Sequence, residues 1–348
     1  MQGQMWEIKG ASKAKRLKWG DPQNTISWAY MKELRENNRT RRVYAVNPYI
    51  EVYQFRDNLF GLFNQNCDWA WDVWQYLILG PEKAMLIDTA FGLGDIKGLV
   101  DELTGGMPLI VANTHVGPDH VLGNCLFDRV YCHEYEVENI RDKCHPGAWD
   151  YLFDENGNNI WLDFDRKDLP AYRDYELIGV PDHTVFNLGG DYDVEMIWTA
   201  GHQPGHVMYL DKKGKNLFAG DDVCSDVIGC GPGPIPGRHH SEYANLTAYR
   251  DRLAKLCERM DEFDYIFPGH FMVNLENHLM ADILDALNEI IADPERYDFK
   301  VAHDSGGEIS YRYHKYVRGF GTIAYSMNGV YYPEGFVPPE ETERGLRI

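Results

Sequence analysis

The chain has 348 residues, 44% of them hydrophobic and 13% aromatic, enough for one large two-layer domain with additions. Its 54 Asp and Glu outnumber 34 Lys and Arg, giving a formal net charge of −20. So acidic a surface repels a phosphate backbone and anionic lipid, so neither nucleic acid nor membrane is an expected partner.

The first nine residues, Met1 to Lys9, contain no apolar core of signal-peptide length, and no later run approaches membrane-spanning length. The cysteines (Cys67, Cys125, Cys132, Cys144, Cys224, Cys230 and Cys257) are odd in number and scattered, with no Cys-x-x-Cys pair. That pattern suits reduced thiols and a cytoplasmic chain. Cys224 and Cys230 are read as buried small apolar residues rather than as ligands.

Residues 1–42 are mixed and basic, with a short helix expected over Trp28–Leu34, and form an N-terminal extension packed on the main domain or on a second copy. Alternating apolar positions from Arg42 to Phe55 indicate a strand pair that Asn58–Phe63 continues. Trp74–Leu79 and Ala84–Ile87 flank Gly80-Pro81 as a hairpin, and Gly94–Leu103 reads as a helix with Ile96, Leu99, Val100 and Leu103 on one face. Pro108–Ala112 is a short branched apolar run, hence a buried strand. It delivers Asn113-Thr114-His115-Val116-Gly117-Pro118-Asp119-His120, with Pro118 at the start of a compact helical turn. Residues 145–190 read as an irregular insertion. The loop Gly229–Gly237 has too many Gly and Pro for regular structure and lies where it can rim a site. Glu242–Met260 and Asn274–Ala292 are the clearest amphipathic helices. Beyond Pro294, Glu308–Tyr332 has strand patterning suited to an edge addition or a dimer arm. The domain expectation is therefore 1–42, 43–294 and 295–348, with no internal repeat.

Five strand ends deliver Asp or His in order: Asp88, the His115-x-x-x-Asp119-His120 run, His202 within Thr199–His206, Asp221 within Phe218–Asp222, and His270 within Ile266–His270. This order resembles the metallo-β-lactamase superfamily over roughly residues 44–275. There is one departure: Gly117 stands where the family's His-x-His-x-Asp-His motif has its middle histidine.

The resemblance implies an α/β fold, an αββα sandwich with a metal site at one edge. One metal site would use His115, His202 and the bridging Asp221, with Gly117 leaving the third imidazole vacant; Asp222 or His206 is the candidate replacement. The other would use Asp119, His120, Asp221 and His270, and is complete and tighter. Asp88 would orient ligands, with structural or supporting roles for His206 and Asp222. The expected cofactor is a divalent metal, zinc first and iron or manganese next. It would bring water's pKa to about 7 and polarise a substrate oxygen while Asp119 accepts the proton. His239 and His240, just past the Gly/Pro loop, are substrate-contact candidates. The chain's nine tryptophans include Trp69, Trp71 and Trp74 within six residues. Trp74 belongs to the following strand; Trp69 and Trp71 either join the core or form an apolar wall facing the Gly229–Gly237 loop.

The implied function is metal-dependent hydrolysis of a small ester, lactone, thioester or amide, with a small molecule as partner and a homo-oligomer as an open alternative. A redox or lyase enzyme using iron or manganese is the first rival. Its flavodiiron form is weakened because that branch has Glu at the Gly117 position. A non-catalytic binding protein is the second.

Overall fold

A computed structural model describes residues 13–17, 25–305, 308–339 and 345–348. Its centre is two mixed sheets packed face to face. In the first sheet the spatial order is Glu176–Val180, Arg129–His133, Leu109–Ala112, Ala84–Ile87, Val73–Leu79, Leu59–Asn64, Asn47–Arg56 and Arg42–Tyr44. In the second it is Val185–Asn187, Asp193–Trp198, Val207–Asp211, Asn216–Gly220, Tyr265–Pro268 and Leu275–Glu276.

The period-2 alternation of each strand decides which layer its side chains enter. In Val73–Leu79, Trp74, Tyr76 and Ile78 join the core between the sheets, while Val73 and Leu77 pack on the outer face with Ile96, Leu99 and Val100 of the helix Ile96–Thr104. That helix is capped at its start by Asp95, whose side chain accepts from Gly98 N, and stopped by Gly105 at φ 65. Across the core, Val194, Met196 and Trp198 face the first sheet, and Ile197 faces outward. Outside the second sheet, Tyr249 and Leu253 of helix Leu246–Cys257 and Ile283 and Leu287 of helix Leu279–Ala292 complete the fourth layer. This is an αββα sandwich. Both helices are shorter than their periodic patterns, because 3₁₀ turns at Ser241–Tyr243 and Met260–Glu262 and the short strand Leu275–Glu276 take up the flanks.

Three segments add to their sequence expectations, and the N-terminal one takes the first of its two alternatives. The 145–190 stretch is more than irregular insertion: Glu176–Val180 and Val185–Asn187 are edge strands of the two main sheets, and Leu152, Leu162 and Phe164 form a separate core with Phe91, Val121 and Leu122. The described part of the N-terminal segment packs on this same chain. Helix Thr25–Asn37 sends Arg35 onto the buried Glu51 at 2.6 and 3.0 Å and Tyr30 Oη onto Val273 O at 2.9 Å. The described residues after 294 add a sheet to this same chain. Phe299–Ser305, Glu308–Val317 and Gly321–Tyr325 make a third sheet whose fourth strand is Asp226–Gly229, paired in parallel with Gly321–Tyr325. Val317, Ile323 and Tyr325 share the core of helices Leu246–Cys257 and Leu279–Ala292, so one apolar cluster takes residues from both sides of position 294.

Among the described residues no helix is long and apolar enough to cross a membrane. All seven cysteines are free thiols.

Candidate functional site

The Asp and His residues of the five strand ends gather at one edge of the sandwich, where strands of both sheets end. Cross-sheet bonds sew that edge together: Trp74 N to Gly269 O at 2.8 Å, Val207 N to Thr114 O at 3.0 Å, Tyr209 Oη to Asn113 O at 2.7 Å and Tyr76 Oη to Pro268 O at 2.6 Å. The chain turns sharply as it leaves these strands. Asp88, Ala200 and Phe271 lie at φ 63, 56 and 60, left-handed conformations that non-glycine residues hold only where the surroundings over-determine them. Gly220 is at φ 50, and a β-carbon there would come 2.6 Å from His206 Nε2, so only glycine permits this approach.

Asp221 is the hub. Its Oδ1 lies 3.4 Å from His120 Nε2, and its Oδ2 lies 3.2 Å from His270 Nε2 and 3.7 Å from both His115 Nε2 and His202 Nε2. Asp119 stands alongside, its Oδ2 3.5 Å from His270 Nε2 and its Oδ1 3.9 Å from His120 Nε2. All are buried except His202, whose side chain is 24% exposed.

Each of the four imidazoles turns Nε2 inward and anchors Nδ1 outward. His120 Nδ1 lies 2.8 Å from Asp88 Oδ2, His270 Nδ1 2.9 Å from Asp72 O, His115 Nδ1 3.1 Å from Thr114 Oγ1, and His202 Nδ1 bonds Gly229 O. A carbonyl or carboxylate oxygen only accepts, so Nδ1 carries the proton in His120, His270 and His202 and leaves an inward lone pair on Nε2. Thr114 Oγ1 gives its own proton to Asp88 Oδ2 at 2.8 Å, so it accepts from His115 in turn. Asp88 also receives Thr114 N at 2.7 Å and thereby ties two of the imidazoles to one carboxylate.

His206 and Asp222 are arranged differently. His206 Nε2 accepts from Asp221 N at 3.0 Å and its Nδ1 lies 2.9 Å from Asp222 Oδ2, so both ring nitrogens are used. Asp222 additionally takes His202 N at 3.0 Å and Thr199 Oγ1. Neither side chain fills the place that Gly117 leaves. A β-carbon on Gly117 would point into the cluster, 2.7 Å from His120 Cδ2, 2.8 Å from Asp119 Oδ1 and 3.1 Å from His115 Nε2.

The electrostatics are those of a carboxylate-rich pocket lined by imidazoles. Burial, aided by the neighbouring His120, drives His115 well below the usual imidazole range, and burial also lowers His202. Burial opposes charge on His120 too, but Asp221, Asp119 and Asp88 outweigh it and push His120 well up; Asp221 and Asp119 do the same for His270. Asp221 is held far below the carboxylate range: burial acts upward, and His270, His120 and His115 overcome it. Its Oδ1 is buried without a hydrogen-bond partner among the described residues. Inward lone pairs, clustered carboxylates and an orphaned oxygen fit a divalent metal. Two groups have donor atoms mutually within 4.8 Å: His115, His120 and Asp221, and Asp119, His120 and His270.

Of the remaining candidates, Trp71 comes to the site, its ring 5.9 Å from His270 and 4.8 Å from Phe271. Trp69 is 65% exposed, whereas Trp74 is 1% exposed in the core. His239 and His240 are not brought to the cluster: His239 lies against Asn139 and Asp142, and His240 stacks on Tyr135 at 4.4 Å. Cys224 Sγ lies 3.7 Å from Asp221 O, and burial pushes its thiol well up. Sequence reasoning missed Asn66, whose Nδ2 donates to Asp119 Oδ2 at 3.0 Å, and the carbonyls of Asp72 and Gly229. Backbone acceptors leave no trace in residue identity, and Asn66 stood out only by adjoining the Trp-rich stretch.

The sequence profile of the metallo-beta-lactamase superfamily matches residues 68–270. The chain belongs to that superfamily. Among its curated relatives is the acyl-coenzyme A thioesterase MBLAC2 of Homo sapiens, 28% identical over 217 residues that cover 56% of this chain and 72% of that one. The Gallus gallus protein of the same name is 25% identical over 215 residues, covering 56% and 71%. Among solved structures, a metallo-beta-lactamase from Pontibacter korlensis matches 68% of this chain and 97% of its own at 15% identity and TM-score 0.48. The DIM-1 metallo-beta-lactamase covers 68% and 98% at 17% identity and TM-score 0.47. The chain is a hydrolase of the metallo-beta-lactamase fold.

Proposed function

We propose that this metallo-beta-lactamase-superfamily chain is a metal-dependent thioester hydrolase, its metal held by Asp119, His120, Asp221 and His270, with His115 and His202 forming the weaker half of the centre. The observation that carries the reading is the set of inward-facing Nε2 atoms around Asp221, whose buried Oδ1 has no hydrogen-bond partner among the described residues. The thioester class is favoured within the hydrolases by the thioesterase relatives.

When bound, a divalent metal supplies Lewis acidity toward the substrate carbonyl and lowers the pKa of a water to about 7. The chain's own groups do the rest. Asp119 is the proton acceptor for the attacking water; Asn66 Nδ2 at 3.0 Å holds Oδ2 and fixes the plane of the carboxylate. Asp88 keeps His120 and Thr114 in register, so the imidazole does not turn as charge develops. Asp72 O and Gly229 O hold His270 and His202 in the tautomer that presents Nε2. Trp71 and the exposed Trp69 supply an apolar wall on the His270 side for the acyl group.

The test is a panel of ester, lactone and thioester substrates offered to chelator-stripped protein and to protein reloaded with Zn(II), Fe(II) or Mn(II), with released thiol read colorimetrically. Thioester turnover should vanish on stripping and return with metal. Turnover that survives stripping, or lactone and ester cleavage without thioester cleavage, would overturn the proposal.

A further inference from the structure

An anionic substrate approaches this chain against a net charge of −20, so its binding needs a local cation. Arg238 is placed to supply one. It stands just past the Gly229–Gly237 loop, half-buried, and its Nη1 donates to Oε1 of Gln203, the residue after His202. Burial pulls its guanidinium below the usual arginine range, a shift that leaves it charged. Among the described residues it makes no ion pair, and its other N–H groups have no hydrogen-bond acceptor. A partly desolvated guanidinium with free donors is a bidentate site for a carboxylate or a phosphate.

The surroundings leave that charge largely uncompensated. The carboxylate that acts on Arg238 is Glu136, which is fully buried and accepts Gly205 N at 2.9 Å through Oε1. Burial pushes Glu136 up to about 7, although Gly205, His206, Arg238 and Asn139 all pull the other way. Near neutral pH it therefore carries only part of a negative charge. His239 is occupied with Asp142 at 3.4 Å and His240 lies 3.8 Å from Glu242, so the guanidinium is the free cation of this group.

The geometry points to Arg238 as the docking point for an oxyanion carried by the substrate, on the His202 side of the centre. The inference rests on the thioester reading and adds an orientation to it: the apolar part lies toward Trp71 and the anionic part toward Arg238. Two sources have the same chemistry, a phosphate on the thiol carrier or a carboxylate on the acyl group.

The experiment uses the metal-loaded 348-residue chain and three thioesters: butyryl-coenzyme A, butyryl-pantetheine and succinyl-pantetheine. In Arg238→Gln, the ratio of kcat/KM for an anionic ester over that for butyryl-pantetheine should fall about tenfold, carried by KM, with partial recovery in Arg238→Lys. Loss confined to the coenzyme A ester assigns the phosphate; loss confined to the succinyl ester assigns the carboxylate. Unchanged ratios for both esters overturn the inference. Should the wild type cleave none of the three, the thioesterase reading falls by itself, and calorimetric binding of coenzyme A and succinyl-pantetheine decides about Arg238. Affinity about tenfold weaker in Arg238→Gln upholds the docking point; equal affinity, or no binding to wild type, overturns it.

Discussion

Gly117 offers the sharpest perturbation of the proposed centre, because its backbone is ordinary and its side-chain direction is not. At φ −88 and ψ 140 any residue is tolerated, so Gly117→Ala brings no conformational strain. The whole effect lies in where the methyl lands: 2.7 Å from His120 Cδ2, 2.8 Å from Asp119 Oδ1 and 3.1 Å from His115 Nε2. Overpacking of this kind costs about 1–3 kcal/mol, and the stiffer unfolded chain returns about 0.4–1 kcal/mol, for a net loss of about 1–2 kcal/mol. The melting temperature of metal-free Gly117→Ala should therefore fall by a few degrees in calorimetry. Displacing His120 or Asp119 should also weaken metal binding about 10- to 100-fold, read by elemental analysis after dialysis against a graded chelator. Gly117→His separates two meanings of the glycine. If the space admits substrate, the imidazole should leave metal bound and abolish turnover, which is the expected result. A second metal equivalent together with faster turnover would mean that a ligand had simply been lost. Unchanged melting and metal affinity in Gly117→Ala would refute the packing argument altogether.

Three other outcomes are expected. His270→Ala or Asp119→Ala should remove most bound metal and His202→Ala less, since the His202 side chain is 24% exposed and that of His270 is 3%; wild type holding two tight equivalents in elemental analysis would contradict the asymmetry. Trp69→Ala should raise KM with little change in melting, whereas Trp74→Ala should cost about 3–5 kcal/mol of stability by denaturant titration; an early-melting Trp69→Ala would place that indole in the fold rather than the pocket. Glu195 is raised by its burial but brought down to about 2 by His183 and Arg259, the latter bidentate at 2.6 and 3.1 Å, with Lys212 helping. A carboxylate depressed on folding stabilises above its unfolded pKa of about 4.5 and loses that contribution as pH falls toward 2. After discounting for the part solvent screens, Glu195→Gln should remove about 1–2 kcal/mol of acid-sensitive stability across that window, and a melting curve with the same acid slope as wild type would refute the network's role.

The site was legible because its chemistry sits where periodicity breaks. Apolar strands such as Leu109–Ala112 and Tyr265–Pro268 are short and β-branched or aromatic, and each ends on a polar cluster, so strand end and candidate ligand were read from the same few residues. The helix over Ile96–Thr104 carried both its apolar stripe and its stop at Gly105 in local sequence. What stayed hidden was whatever depends on a partner distant in the chain. Asn66 reaches Asp119 across 53 positions, and Trp69 differs from Trp74 in exposure though one stretch holds both. Proximity in sequence said that the indoles were grouped; only the packed sandwich says which of them is covered.

The C-terminal sheet is the clearest case, and it bears on the site. Asp226–Gly229 begins five residues after Asp221 and pairs in parallel with Gly321–Tyr325, a register between segments almost a hundred positions apart that has no local signature. Two further bonds hold the junction, Cys230 N to Ala324 O at 3.1 Å and Ser326 N to Gly231 O at 3.1 Å, while Gly231 N reaches Gly201 O at 3.2 Å. Gly229 O is the acceptor that fixes His202 Nδ1. The His202 imidazole is therefore oriented by a carbonyl whose position depends on residues 321–326. The segment beyond residue 294 thus forms part of the support of His202, the most exposed of the four imidazoles.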